Sequence, residues 1–166
     1  AACSSGQEPY SLSMSVEEDR ARNTSAFNYP VEIIGTDLSS SMLDQCKKAE
    51  YDQLSLGRGL SDLRLKQFFE PMTGQRWQVK QEVRARVRFK SLNLMDSFVA
   101  LGKFDVIFCR NVLIYFSNEL KADILKRIHG SLRPGGYLVL GASEGHTHVK
   151  DYYQMIQCNP GIIYQA

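Results

Sequence analysis

Phe104-Asp105-Val106-Ile107-Phe108-Cys109 is a six-residue run broken by a single charge. A run of this kind predicts a strand covered on both faces, and such strands belong to parallel sheets flanked by helices. The segments around it agree. After Ser117-Asn118 come Leu120, Ile124, Leu125, Ile128 and Leu132, an apolar stripe at helical spacing. That helix stops at Arg133-Pro134-Gly135-Gly136, where Pro cannot continue it and Gly supplies positive φ. Tyr137-Leu138-Val139-Leu140 is the next strand. Upstream, 31–36 reads as a β-branched strand that stops at Asp37, and Ser41 with Asp44 forms an acidic capping box that opens a helix over 41–50. Asn159-Pro160-Gly161 separates 153–158 from 162–165, which predicts a closing hairpin. Strand and helix alternate. The fold class is therefore α/β, with a mostly parallel sheet and an antiparallel C-terminal edge.

Two segments resist the pattern. Tyr10, Leu12, Met14 and Val16 alternate with period two, as in a strand, yet Pro9 suits the first turn of a helix, so a helix over 9–20 is expected. Residues 58–90 carry nine basic residues against Asp62, Glu70 and Glu82, a local +6 that leaves −4 for the rest of a chain of net charge +2. Trp77, Val79, Val83, Val87 and Phe89 suggest two short antiparallel strands there, an insertion into the α/β core. Three readings stay open for this block. It is a solvated basic face, a docking surface for an acidic partner, or, with Trp77, Phe89 and Phe68-Phe69 as stacking candidates, a nucleic-acid surface.

A length of 166 residues with 43% hydrophobic content supports one core and is short for two independent domains. No apolar run approaches the roughly 20 residues of a membrane span. Cys3, Cys46, Cys109 and Cys158 lie far apart without a CxxC pair, so four reduced thiols in a cytoplasmic setting are expected, and no metal. His146 and His148 are the sole near cluster, in a loop that reads as plain or as lining a cleft mouth, and His129 reads as a boundary residue. The chain opens on Ala1-Ala2-Cys3 without a leader pattern, which reads as a fragment or a processed chain.

Four pieces carry chemistry. Cys3-Ser4-Ser5-Gly6-Gln7-Glu8-Pro9 is a small-residue turn leading into a helix N-terminus, where the backbone comes close to a ligand; it is not GxGxxG. Glu8 there repels a pyrophosphate and suits a cationic ligand, or simply complements the helix dipole. Asp37, ending its strand, suits ribose hydroxyls. Asn93-Leu94-Met95-Asp96 follows the strand-like 88–92 and brings an amide or backbone group to an adenine edge. Arg110, Asn111 and Tyr115 follow the apolar strand, at the carboxyl end where open α/β sheets bind ligands.

Together these pieces resemble the CheR family of chemotaxis receptor methyltransferases. The likeness rests on Ala2-Cys3-Ser4-Ser5-Gly6-Gln7-Glu8-Pro9-Tyr10-Ser11, Gly35-Thr36-Asp37-Leu38-Ser39, the stretch from Phe104 to Phe116 and Leu132-Arg133-Pro134-Gly135-Gly136-Tyr137-Leu138. It implies a Rossmann-like class I methyltransferase sheet with a small inserted β-subdomain implicated in receptor docking. It further implies an N-terminal helical domain that precedes this chain, and a first strand of which Ala1-Ala2-Cys3 remains. The cofactor it implies is S-adenosylmethionine, held by Glu8, Asp37, Asn93, Leu94, Arg110 and Asn111. Tyr115 would lie near the transferred methyl, with Arg110 ordering the cofactor and acceptor side of a dry pocket walled by Tyr115 and Phe116. The implied partner is the acidic helical cytoplasmic region of methyl-accepting chemotaxis receptors, met by Arg84, Arg86 and Arg88, with room for a regulatory protein. The implied reaction is methyl-ester formation on receptor glutamates. Two alternatives stay open: a catalytically silent cofactor-binding module, and a methyltransferase acting on nucleic acid or a small molecule. Against the latter, Cys109-Arg110-Asn111-Val112 stands where an Asn-Pro-Pro-Tyr motif would serve exocyclic amines.

Overall fold

The computed structural model describes residues 1–23, 29–57, 59–144 and 147–166. Arg58 of the basic block and His146 lie outside the described residues, as does the side chain of His148. The chain forms two compact units, one of Cys3–Leu92 and one of Ala1–Ala2 with Asn93–Ala166.

The Cys3–Leu92 unit opens with α1 (Gln7–Arg22). Pro9 falls in its first turn, where no backbone donor is needed, and the helical period wins over the alternating one because Tyr10, Ser13 and Met14 share a buried face. Next come β1 (Ile33–Asp37) and α2 (Ser40–Lys48). Ser39, rather than Ser41, caps α2 by accepting from the Met42 N–H, and Asp44 pairs with Lys47 instead of closing a box. Then follow β2 (Glu50–Asp52), α3 (Gln53–Leu56), α4 (Asp62–Phe68), β3 (Phe69–Met72), β4 (Arg76–Val79), α5 (Gln81–Arg84) and β5 (Val87–Ser91).

The strands pair differently from the expectation. β4 lies between β2 and β3, both antiparallel to it, so the small sheet recruits Glu50–Asp52 from upstream of the block. β5 is not part of it. It runs parallel to β1, with Ile33 opposite Val87 and Asp37 opposite Ser91. The apolar residues that suggested a second inserted strand, Val87 and Phe89, belong to the parallel core, and Val83 to a helical turn. Phe89 lies across Gly35, where an added Cβ would sit 2.8 Å from its ring. Tyr10 meets Phe89 edge-on at 5.7 Å between centroids, and Met14, Tyr51, Phe68, Phe69, Val79 and Val83 complete this core.

In the other unit, β6 (Phe104–Cys109), α6 (Asn118–Ser131) and β7 (Leu132–Leu140) form a parallel β–α–β crossover. β8 (Gln154–Cys158) and β9 (Gly161–Gln165) make the antiparallel hairpin, giving the order β6-β7-β9-β8. Ser117 caps α6, and Ile124, Leu125 and Ile128 bury its apolar stripe. Arg133-Pro134-Gly135-Gly136 does not form a separate loop. The strand starts at Leu132 and carries these residues as an irregularity in its ladder with β6, where a Cβ on Gly136 would meet the Asp105 carbonyl at 3.0 Å. β6 is also less covered than its composition predicts. It is an edge of its sheet, Val106 is 44% exposed, and Cys109 is fully buried.

Candidate functional site

The first group of site residues surrounds the turn before α1. Gly6 caps α1 at φ 90°, and a Cβ there would meet Cys46 Sγ at 3.0 Å and the Tyr51 hydroxyl at 3.3 Å, so glycine is required on both counts. The turn is held from three sides. Cys46 Sγ donates to the Ser4 carbonyl at 3.0 Å, and the Tyr51 hydroxyl donates to the Ser5 carbonyl at 2.8 Å. Hydrogen bonding with Cys3 and burial push the Cys46 thiol up, and burial does the same for the Tyr51 hydroxyl, so both remain donors. On the third side is Asp37. Its Oδ2 accepts from the Ser4 N–H at 2.8 Å and its Oδ1 from the Ser39 N–H at 3.0 Å. Each carboxylate oxygen offers two acceptor positions, so this pattern leaves one on each oxygen. Glu8 sits half-buried in the first turn of α1.

The second group follows β6. Arg110 and Asn111 are exposed, Asn111 adopts a left-handed φ of 58°, and Leu113–Tyr115 makes one 3-10 turn. What shapes this segment is Glu144, from the loop expected to be plain or to line a cleft mouth, a role its loop position did not indicate. It is 1% exposed, and its carboxylate accepts four backbone N–H groups. Oε2 takes Asn111 at 2.6 Å and Gly141 at 2.9 Å, while Oε1 takes Val112 and Leu113, each at 2.7 Å. Gly141 leaves room for this, since a Cβ there would stand 2.5 Å from both Glu144 Oε2 and Asn111 Oδ1. One signal was available in the sequence. A turn of consecutive N–H groups after a strand needs an acceptor, and Glu144 is an acid four residues past the end of the next strand.

Tyr115 is 79% exposed and Phe116 half-buried, so the dry pocket expected around them is absent from this unit. Leu94 is buried, and Asn93 accepts the Met95 N–H at 3.0 Å in an Asx turn. Arg127 braces the same loop. It donates to the Asp96 carbonyl at 2.7 Å and lies over the Phe98 ring at 5.6 Å.

The CheR methyltransferase SAM-binding domain matches residues 1–162 of the chain. The chain belongs to the CheR methyltransferase family. Chemotaxis protein methyltransferase 1 of Pseudomonas aeruginosa is 59% identical over all 166 residues, which cover 61% of that protein. The chemotaxis protein methyltransferase of Borreliella burgdorferi is 36% identical over 145 residues, or 87% of the chain and 50% of that protein. The chain thus spans about three-fifths of the first of these relatives. A TehB-like SAM-dependent methyltransferase from Corynebacterium glutamicum has the same fold at TM-score 0.53 and 15% identity, with 99% of the chain and 74% of that structure covered. The sheet is therefore of the class I methyltransferase type, and S-adenosylmethionine is the cofactor of the matched CheR domain.

The CheR basic block is less of a free charge reservoir than its composition suggests. Arg64, Arg76, Arg86 and Arg88 pair with Glu18, Glu50, Glu17 and Glu32, all from outside 58–90. Of the three arginines expected to bind a partner, Arg86 is far less accessible than Arg88. Its side chain is 9% exposed, it pairs with Glu17, and it donates to Ser13 Oγ at 3.0 Å. It sits in the turn between α5 and β5, where the one-in-two spacing of Arg84, Arg86 and Arg88 has no structural meaning. Arg84 is half-buried and donates to the Gln81 side chain at 2.8 Å, while Arg88 stays 73% exposed. Phe68 and Phe69 are core residues and Phe89 packs against that core, so these rings are spent on packing rather than on stacking with bases. His129 packs edge-on against Tyr153 at 5.3 Å, a boundary residue. All four cysteines are free thiols. Among the described residues no helix is long and apolar enough to cross a membrane, and no cluster of three His, Cys, Asp or Glu could hold a metal.

Proposed function

We propose that this chain is the cofactor-binding and methyl-transferring part of a cytoplasmic enzyme that esterifies glutamate side chains of chemotaxis receptors. The observation that carries this reading is the chemotaxis-methyltransferase likeness running through the whole chain, both groups of site residues included. The site fits the cofactor on its own terms. Asp37 keeps one acceptor position on each oxygen, which suits a ribose diol, and the Cys3–Gly6 turn is fixed by hydrogen bonds from Cys46 and Tyr51 and to Asp37. The reading assigns Glu8, Asp37, Asn93, Leu94, Arg110 and Asn111 to this one ligand.

When bound, S-adenosylmethionine supplies an electrophilic methyl group on a sulfonium. The acceptor needs no general base, because a glutamate of ordinary pKa near 4.3 is already ionised at neutral pH. What the chain contributes is orientation and exclusion of water. Arg110 orders the cofactor and acceptor side, and Tyr115 lies near the transferred methyl. Of the proposed partner-binding set Arg84, Arg86 and Arg88, the half-buried Arg84 and the exposed Arg88 contribute most to steering an acidic receptor helix, an effect mainly on association rate and salt dependence. Nothing on the described surface singles out a regulatory protein.

The test uses the full-length protein, radiolabelled S-adenosylmethionine and receptor cytoplasmic fragments. The expected product is a label on glutamate that alkali releases, with turnover lowered at least tenfold by Arg110→Ala. An alkali-stable label would assign another acceptor. Binding without any transfer would favour the silent module.

A further inference from the structure

Glu144 lies in the loop after β7 that reads as plain or as lining a cleft mouth, and no other described carboxylate is so enclosed. The N–H groups of Asn111, Val112 and Leu113 point inward together, and the left-handed Asn111 helps turn them that way. Consecutive N–H groups so arranged make a concavity that takes an anion. Here the anion is built in. With the Gly141 N–H as fourth donor, all four acceptor positions of the carboxylate are used, so Glu144 has no capacity left for a ligand. The bonds are charge-assisted and short, from 2.6 to 2.9 Å. Gly141 is part of the device, because any side chain there would collide with Asn111 and Glu144 together.

We propose that Glu144 is a positioning residue of the methyl-transfer site, whose carboxylate sets the backbone from Asn111 to Leu113 and thereby aims Arg110, Asn111 and Tyr115. This rests on the function proposed above. It also means that the N–H concavity after β6 is closed to the carboxylate and phosphate groups of ligands, so recognition at this segment falls to side chains.

The decisive variant is Glu144→Gln in the full-length protein, which keeps the shape but places an amide NH2 against N–H donors. Expected are a folded variant by circular dichroism, about tenfold weaker S-adenosylhomocysteine binding, and a kcat lowered about a hundredfold, as for a small misplacement of reacting groups. The KM for receptor fragment should stay within about twofold. A companion measurement needs no variant: in the ligand-free wild type, the amides of 111–113 should exchange with deuterium as slowly as those of β7. A folded variant with wild-type binding and kcat would overturn the proposal, and so would fast exchange at those three amides. A variant that loses its fold would make Glu144 a residue of stability rather than of the site, and overturn it too. Failure of the functional reading looks different: wild-type protein would not bind S-adenosylhomocysteine, whatever the exchange result.

Discussion

Arg86 and Glu144 are opposite cases at the scale of single residues. Arg86 belongs to the most basic stretch of the sequence and is nonetheless turned inward onto Glu17 and Ser13. Glu144 belongs to a loop that reads as plain or as lining a cleft mouth, and is among the most enclosed polar groups of the described residues. Composition counts charges without knowing which of them find partners from elsewhere in the chain. The two kinds of arginine should separate experimentally. Arg86→Ala removes the enclosed partner of the half-buried Glu17, together with its charge-assisted hydrogen bonds, and should cost about 2 kcal/mol in urea unfolding. Arg84→Glu with Arg88→Glu should change stability by about 0.5 kcal/mol or less, while slowing receptor association in a salt-dependent way. Equal destabilisation by both would mean that Arg86 is no more structural than its neighbours.

Among elements, what was legible follows from local rules. The helix over 9–20 was readable because Pro9 overrules an alternating pattern, and the C-terminal hairpin because Asn-Pro-Gly admits little else. The strand 87–91 was misassigned because its apolar residues look alike whether they pair with β1 or with β4; only its partner distinguishes them. Ser39 and Ser41 compete for the same cap, and three serines in a row cannot reveal which side chain will reach the Met42 N–H. One contact between elements gives a pH dependence. Arg64 of α4 donates through Nε at 2.7 Å and through a terminal nitrogen at 2.6 Å to the two carboxylate oxygens of Glu18 in α1. The guanidinium holds the Glu18 carboxyl below the usual range. A depressed carboxyl contributes stability that is fully present above its unfolded value, about 4.3, and lost as the pH falls through its folded value. The difference in urea midpoint between wild type and Arg64→Ala should therefore be constant from pH 7 to pH 5 and shrink below pH 4. A difference that grows on acidification would contradict the pairing.

For the whole molecule, the order of motifs along the chain carried more than any one of them. An Asp ending a strand, a small-residue turn and an Arg-Asn pair are each common. In this sequence order they resemble one family, and the match over residues 1–162 places the chain in it. The fold was legible to the same depth, since one apolar strand, one apolar-striped helix and the Gly-Gly strand that follows define the crossover β6–α6–β7. What could not be read was how the site is braced. Cys46 and Tyr51 act on backbone atoms far away in sequence and leave no local pattern, while Glu144 offers only the weak signal of an acid just past a strand. The proposed function requires that the Cys3–Gly6 turn and the Asp37 beside it serve S-adenosylmethionine. Calorimetric titration of S-adenosylhomocysteine into the full-length protein and its Asp37→Ala variant tests that most directly. The account predicts saturable one-to-one binding by the wild type and at least hundredfold weaker binding by a folded variant. Equal affinity in the two, or no binding by a folded wild type, would contradict it.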